Sequence, residues 1–186
     1  MKTEPGTGPL LFAVLVPHRN AVFALEQFRQ RLFALGLDGA FSFPAAALLA
    51  RLSRPLTGAE LKEAAAELRR RLGGKKITAV LSSLSTVYFP QDKIRFFGPR
   101  IDIPPLPLPK SAVIARRGKP LLAPAVLGPE EPARAAKKTA EAPPPELSFR
   151  AAALSNLAVY PSETGETDYS YTWELGRLYW LPKPAR

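Results

Sequence analysis

A short pattern that occurs twice constrains the fold of this chain more than any other feature of its sequence. The pattern F-x-A-A-A-L spans residues 43–48 and returns at residues 149–154, and each copy runs on to a proline, Pro55 or Pro161. Two such copies, far apart along the chain, predict two structurally related lobes. The alternative is a chance match, because the chain is rich in alanine.

The chain length limits the architecture. With 186 residues the chain fits one compact domain, or two small lobes that share a core. We expect a disordered lead-in at residues 1–9 and a single bilobal domain at residues 10–186. Within that domain, the Pro/Ala/Lys-rich composition of residues 117–146 predicts a flexible segment.

The residue types exclude several kinds of chemistry. The chain has no cysteine, which excludes disulfides, thiolate metal sites and cysteine nucleophiles. Its single histidine, His18, excludes any mechanism that needs two imidazoles. We predict no metal site and no cofactor.

The positive charge bears on the partner. A net charge of +10 favours a polyanion, since Lys and Arg neutralise phosphates whatever the base sequence. The cations are scattered along the chain, so a purely compositional origin is the alternative. The apolar run at residues 10–16 is shorter than the roughly 20 residues that span a bilayer. We therefore expect no membrane partner and a cytoplasmic location, and the sequence leaves the oligomeric state open.

Local patterns in the first half predict strand, helix, strand, helix and then a hairpin. Residues 10–16 are typical of a strand buried on both faces. Residues 20–32 have helical spacing after Asn20, which is a good N-cap. A second helix, through about residue 72, begins at a capping box formed by Thr57 and Glu60. Residues 77–97 then read as a β-hairpin.

The second half carries two further features. The proline-rich residues 104–109 predict either a ligand for a recognition module or a stiff connector. Residues 168–175 alternate as a strand, with Tyr169, Tyr171 and Trp173 on one face. That aromatic face predicts either a surface on which bases stack or ordinary sheet core.

The strand at residues 10–16, the helix after it and the F-P-x-x-x-L of residues 43–48 resemble the opening of the 2H phosphoesterase superfamily. That superfamily includes 2′-5′ RNA ligase-like proteins and cyclic nucleotide phosphodiesterases. The resemblance implies an α+β fold with two antiparallel sheets and flanking helices, arranged as two lobes around a cleft with pseudo-two-fold symmetry. It also implies one His-x-Thr/Ser motif per lobe, and it places these motifs at residues 45–47 and 151–153.

Both motifs have lost their chemical groups. The motif positions read Ala45, Ala47, Ala151 and Ala153, and alanine neither transfers a proton nor donates a side-chain hydrogen bond. General acid–base groups contribute ~10²–10⁴-fold each, so the resemblance implies a catalytically inactive member. An enzyme with relocated chemistry is a remaining alternative, in which Glu166, Asp168 or Glu174 would supply the acid.

Strand periodicity indicates which motif side chains share a face. On strands, Ala45 with Ala47, and Ala151 with Ala153, would line the cleft, and Arg51 and Ser155 would share that face and reach a phosphate. The competing interpretation is a helix in the first copy, because alanine favours helices over strands.

Two functions follow from the sequence. The first is an inactive 2H-like protein that binds RNA or a nucleotide in its cleft, through Arg51, Ser155, Tyr169, Tyr171 and Trp173. The second is a protein-interaction or structural module with a filled cleft and no nucleic-acid ligand. This module would meet its partner through the proline-rich stretch or through the exposed aromatic hairpin, in which residues 168–175 turn at residues 176–177 into residues 178–181.

Overall fold

The fold, given by a computed structural model, is organised around strands that pair edge to edge. The structure describes residues 9–34, 36–41, 43–89, 92, 94–115, 120–122, 125–127, 147–149, 151–161 and 171–181. The helices within these residues are α1 (Arg19–Ala34) and α2 (Gly58–Leu72), with a short 3₁₀ helix at Asp38–Phe41. The strands are β1 (Leu10–Pro17), β2 (Ala47–Leu52), β3 (Ile77–Phe89), β4 (Ile94–Ile101), β5 (Val113–Ala115), β6 (Leu121–Leu122), β7 (Ala125–Leu127), β8 (Leu147–Phe149), β9 (Ala152–Pro161), β10 (Tyr171–Leu175) and β11 (Tyr179–Trp180).

The strands pair antiparallel in the order β10-β9-β1-β2-β6-β4-β3-β8. Three shorter pairings extend this order, β11 on β9, β5 on β2 and β7 on β4. The sheet curls strongly, because Phe12 of β1 contacts Phe96 of β4 although two strands lie between them in the order. The α+β class predicted from the sequence is confirmed, as a curled antiparallel sheet with two helices among the described residues.

Both helices pack on the same face of the sheet. Leu25 of α1 and Leu61 and Leu68 of α2 share a core with Leu15 of β1. The predicted capping box opens α2: the Glu60 N–H donates to Thr57 Oγ1 at 3.2 Å, and the Thr57 N–H donates to Glu60 Oε2 at 2.7 Å.

The opposite face of the sheet carries four phenylalanine rings, which we call the aromatic cluster. Its members are Phe12, Phe43, Phe89 and Phe96, all 5% exposed or less. Phe12 meets each of the other three edge-to-face, with ring centroids 5.9 Å apart. Because these rings come from β1, the β3–β4 hairpin and the segment before β2, the aromatic cluster joins the two ends of the curled sheet.

The structure positions parts of two segments whose roles the sequence left open, residues 117–146 and the proline-rich residues 104–109. Within the predicted flexible segment 117–146, Leu121 and Leu122 are buried and pair with β2, so this part is fixed in the sheet. The remainder lies largely outside the described residues, as do residues 1–8 of the predicted lead-in. In the proline-rich stretch, Leu106 and Leu108 are buried in the core, which supports the stiff connector over the free ligand.

Phe12→Ala tests the packing of the aromatic cluster. Removing a fully buried ring leaves a cavity, so we expect the free energy of unfolding to fall by about 3–5 kcal/mol in urea titrations. Phe23→Ala is the matched control, since Phe23 is 70% exposed and its loss should change stability by no more than ~0.5 kcal/mol. Equal effects of the two substitutions would show that the face around Phe12 is open to solvent.

Candidate functional site

The two copies of F-x-A-A-A-L flank the first strand of the chain. Leu15 of β1 pairs with Ala47 of β2 on one side and with Leu154 of β9 on the other. Residues 47–52 and 152–161 are both strands, so the helical alternative for the first copy is wrong over these residues. The sequence repeat therefore marks two strands on either side of β1.

A β-bulge changes the face of the first copy. Ala13 pairs with Ala50 and Val14 pairs with Leu48, so Leu49 is an extra residue on β2. One extra residue moves the following side chains to the other face of the sheet. As a result, Ala47 packs in the helix-side core, whereas Arg51 lies opposite Phe12 on the side of the aromatic cluster.

Ala45 and Ala47 share a face, as predicted, but the prediction that Arg51 lies on the same face is wrong. Ala45 also packs against the helix-side core, while Ala46 and Leu48 contact the aromatic cluster. The period-two rule could not give this result, because the bulge becomes visible only when β2 is paired with β1.

The second copy pairs with β1 without any shift. Ala153 lies opposite Val16 and Ser155 lies opposite Val14, so both are on the side of the aromatic cluster, and Ala152 packs in the helix-side core as expected. Ser155 is fully buried, and its hydroxyl donates to the Asn156 carbonyl at 3.0 Å. Ala151 precedes the strand, and its carbonyl accepts the His18 N–H at 2.9 Å.

Arg51, a predicted phosphate ligand, is held by Asp92 in the β3–β4 turn. Arg51 Nε donates to Asp92 Oδ2 at 2.8 Å and Nη2 donates to Oδ1 at 3.0 Å, with both side chains about one-tenth exposed. Arg51 Nη1 donates to the carbonyls of Leu11 and Leu52, and the guanidinium lies 5.5 Å from the Phe12 ring centroid. We call this Arg51–Asp92 ion pair the latch, because it ties the β3–β4 hairpin to β2. The positive charge of Arg51 is therefore already paired with a carboxylate.

Trp173 and Trp180 are exposed and lie beside the same strand, and we call this pair of tryptophans the aromatic edge. Trp173 lies opposite Val159 and Trp180 lies opposite Ala153. Both tryptophans are therefore on the edge of β9 that faces away from β1. Positions 153 and 159 share a face and lie about 20 Å apart at ~3.3 Å per residue. The two tryptophans are 44% and 36% exposed, so the core interpretation does not hold for Trp173.

The aromatic edge was only partly visible in the sequence. Trp180 was not among the predicted ligand-binding residues, because β11 is two residues long and gives no alternation. The predicted partner Tyr169 lies outside the described residues, and so does the side chain of Tyr171. The His18 ring packs edge-to-face on Trp180, with 5.9 Å between the ring centroids.

The described residues bring together no acid–base pair at the motif strands. Glu174, one of the alternative acids, accepts a hydrogen bond from the Tyr160 hydroxyl at 3.2 Å, and this contact raises the pKa of Tyr160. Glu166 and Asp168 lie outside the described part of the chain. Among the residues described, no group of three or more His, Asp or Glu could hold a metal. No described helix is long and apolar enough to cross a membrane.

Asp92→Asn tests the latch. It leaves the buried Arg51 guanidinium without its carboxylate, so we expect the free energy of unfolding in urea to fall by about 3–5 kcal/mol. The double variant Arg51→Met/Asp92→Leu removes both charges and should recover most of that loss. Glu63→Gln, on the exposed face of α2, is the control and should leave stability unchanged. A wild-type midpoint for Asp92→Asn would contradict the buried pair.

Comparisons with known proteins give no relative for this site. No protein-family model matches the chain, and no curated protein or solved structure matches it either. The 2H resemblance therefore rests on the two F-x-A-A-A-L copies and on the order of the first elements, and it stays a prediction.

Proposed function

We propose that this chain is a protein-interaction module on a bilobal, 2H-like fold whose cleft is filled and whose catalysis is lost. The observation that carries the proposal is the aromatic cluster, which occupies the sheet face between the two motif strands. In an active member of the family, the cleft between the motif strands would be open to a nucleotide. Here the second copy faces the aromatic cluster through Ala153, whereas Ala47 of the first copy packs in the helix-side core.

The cavity found next to the aromatic cluster is far too small for a nucleotide. This cavity, bordered by Leu48, Val87, Phe89 and Leu121, holds only about 20 Å³. That volume suits roughly one water molecule, whereas small-molecule sites occupy about 300–1,000 Å³. The latch between Arg51 and Asp92 also holds the β3–β4 hairpin over the face.

The aromatic edge supports a protein partner. Tryptophan is enriched among the residues that dominate protein interfaces, and both tryptophans of this chain are exposed along one side of β9. The proline-rich stretch supports this role less well, because Leu106 and Leu108 are buried in the core. The partner would therefore contact the aromatic edge. We retain a cytoplasmic location as part of the proposal.

RNA or nucleotide binding is the second candidate function. It is favoured by the net charge of +10 and by the exposed ring of Trp173, since aromatic side chains stack bases. Two of its predicted ligands are already engaged, because Arg51 is paired with Asp92 and Ser155 is buried. An RNA site would therefore lie outside the filled cleft.

Proximity labelling in cells tests the protein-interaction proposal. The full chain is fused to a labelling enzyme, and the reproducible neighbours are compared between the wild type and Trp173→Ser/Trp180→Ser. We expect the double variant to lose at least one neighbour about tenfold, because interface tryptophans often contribute 2 kcal/mol or more. That neighbour, once purified, should quench the fluorescence of the wild-type tryptophans.

Phe23→Ser is the matched control, since Phe23 is an exposed aromatic residue on a different element, α1. It should retain the same neighbours. Loss of the neighbour in both variants, or an unchanged set in the tryptophan variant, would reject the aromatic edge as the interface. Turnover of a 2′,3′-cyclic nucleotide by the wild type, abolished by Glu174→Gln, would instead revive the enzyme alternative.

A further inference from the structure

We propose that a basic pocket at the C-terminal end of α2 binds the phosphate groups of a nucleotide or of single-stranded RNA. This basic pocket is a depression of about 460 Å³. It is lined by Arg69, Arg70, Leu72, Gly73, Gly74, Lys75 and Leu181. The site is separate from the filled cleft and does not depend on the protein-interaction proposal.

The cations around the basic pocket exceed the carboxylates that could neutralise them. Glu67 pairs with Arg70 at 2.6 Å and also with Arg71. These contacts lower the pKa of Glu67 to about 2, so it stays ionised at neutral pH. In the part of the chain that the structure describes, Arg69 and Lys75 form no ion pair. A local surplus of positive charge therefore remains at the pocket.

The helix dipole accounts for only part of this charge. Cations in the last turn of a helix are stabilised by its negative end, which explains Arg69 and Arg70. Lys75 lies beyond the cap and gains less from the dipole, which falls off within the last turn. The Gly73 N–H already bonds the Arg69 carbonyl, and the Lys75 N–H bonds the Leu72 carbonyl at 2.9 Å. Backbone groups thus satisfy these carbonyls without the cationic side chains.

The shape of the basic pocket suits a ligand with a charged end and a flat apolar part. The half-buried Leu72 provides apolar surface. The side chain of Leu181 is buried behind the pocket, and its N–H donates to the Ala152 carbonyl, which fixes that side. Gly73 and Gly74 have φ of 53° and 81°, and a Cβ at either position would meet no atom within 4 Å, so the backbone there is open to a ligand.

The cations of the basic pocket suit the phosphate groups of a nucleotide. The guanidinium of Arg69 presents a planar fork that matches phosphate oxygens, and Lys75 adds a point charge. A base could then lie against Leu72. The volume falls within the 300–1,000 Å³ of small-molecule sites, which is enough for one nucleotide.

Fluorescence anisotropy with a labelled oligouridine tests the proposal on the full chain, at about 50 and 200 mM salt. We expect saturable binding at low salt, and Arg69→Gln/Lys75→Gln should weaken it about tenfold. The plot of log affinity against log salt should become shallower by about 1.4, because each phosphate contact on a single strand contributes roughly 0.7. The charge-matched control, Arg31→Gln/Lys110→Gln, removes two exposed cations elsewhere and should weaken binding no more than about twofold.

A second variant covers the case in which the double variant misfolds, which thermal melting would reveal. Glu67→Gln releases Arg70 and Arg71 from their carboxylate and should strengthen oligouridine binding severalfold. Uridine monophosphate is then added as a competitor. Displacement by the monophosphate identifies a free nucleotide as sufficient, and displacement only by unlabelled oligouridine identifies RNA.

Three results would overturn the basic pocket. The first is no binding of oligouridine by the wild type at low salt. The second is equal weakening by the pocket variant and its charge-matched control, which indicates diffuse charge. The third is competition by polyglutamate as strong as that by oligouridine, which indicates an acidic polypeptide. Trp173→Ser should leave oligouridine binding unchanged, so failure of either proposal can be told from failure of the other.

Discussion

The packing of Phe12 against three other phenylalanine rings is the interaction on which this fold depends. Phe12 lies on β1, which holds β2 on one side and β9 on the other, and its ring meets Phe89 and Phe96 from the far end of the sheet. Burying one phenylalanine stabilises a protein by about 1.5–3 kcal/mol, so exposing the whole aromatic cluster would cost about 6–12 kcal/mol. That cost is comparable to the total stability of a typical domain. The filled face is therefore a permanent part of the core and not a gate that a ligand opens.

The alanines of the repeat have a structural role that follows from their side of the sheet. Several alanines of the strands and of α2 meet in the helix-side core, where their small side chains allow the helix and the sheet to approach closely. They are Ala13, Ala47, Ala50, Ala64, Ala65 and Ala152. A histidine at position 47 would need to fit into this fully buried layer. The alanines of the repeat thus contribute to the core on which α2 packs.

Local signals in the sequence were enough to predict several elements. The capping box of Thr57 and Glu60 and the terminating Gly73 define α2, because caps act within one helical turn. The apolar run at residues 10–16 and the alternation that ends at Leu175 also predicted strands correctly, and these are β1 and β10. In the second copy, Ala152 and Ala153 lie on opposite faces of the sheet, as strand periodicity predicted, because β9 pairs with β1 in a regular register.

The structural features that the sequence did not predict all depend on contacts between distant residues. The bulge at Leu49 reverses the first alanine copy, and it exists only relative to β1. Asp92 gives no sign in the sequence that it will meet Arg51, which lies 41 residues away. The aromatic cluster joins distant segments, and each of its phenylalanines taken alone resembles an ordinary core residue in the sequence. The sequence could therefore indicate which strands carry the motifs but not that the face between them is filled.

Nuclear Overhauser contacts between phenylalanine rings in solution test the filled cleft most directly. The chain has 10 phenylalanines, so labelling this residue type gives a spectrum that can be assigned. With ring centroids 5.9 Å apart, Phe12 should show cross-peaks to both Phe89 and Phe96, and a soluble paramagnetic probe should leave its signals unbroadened. Absence of these cross-peaks, together with strong broadening of the Phe12 ring by the probe, would show an open cleft and contradict the account.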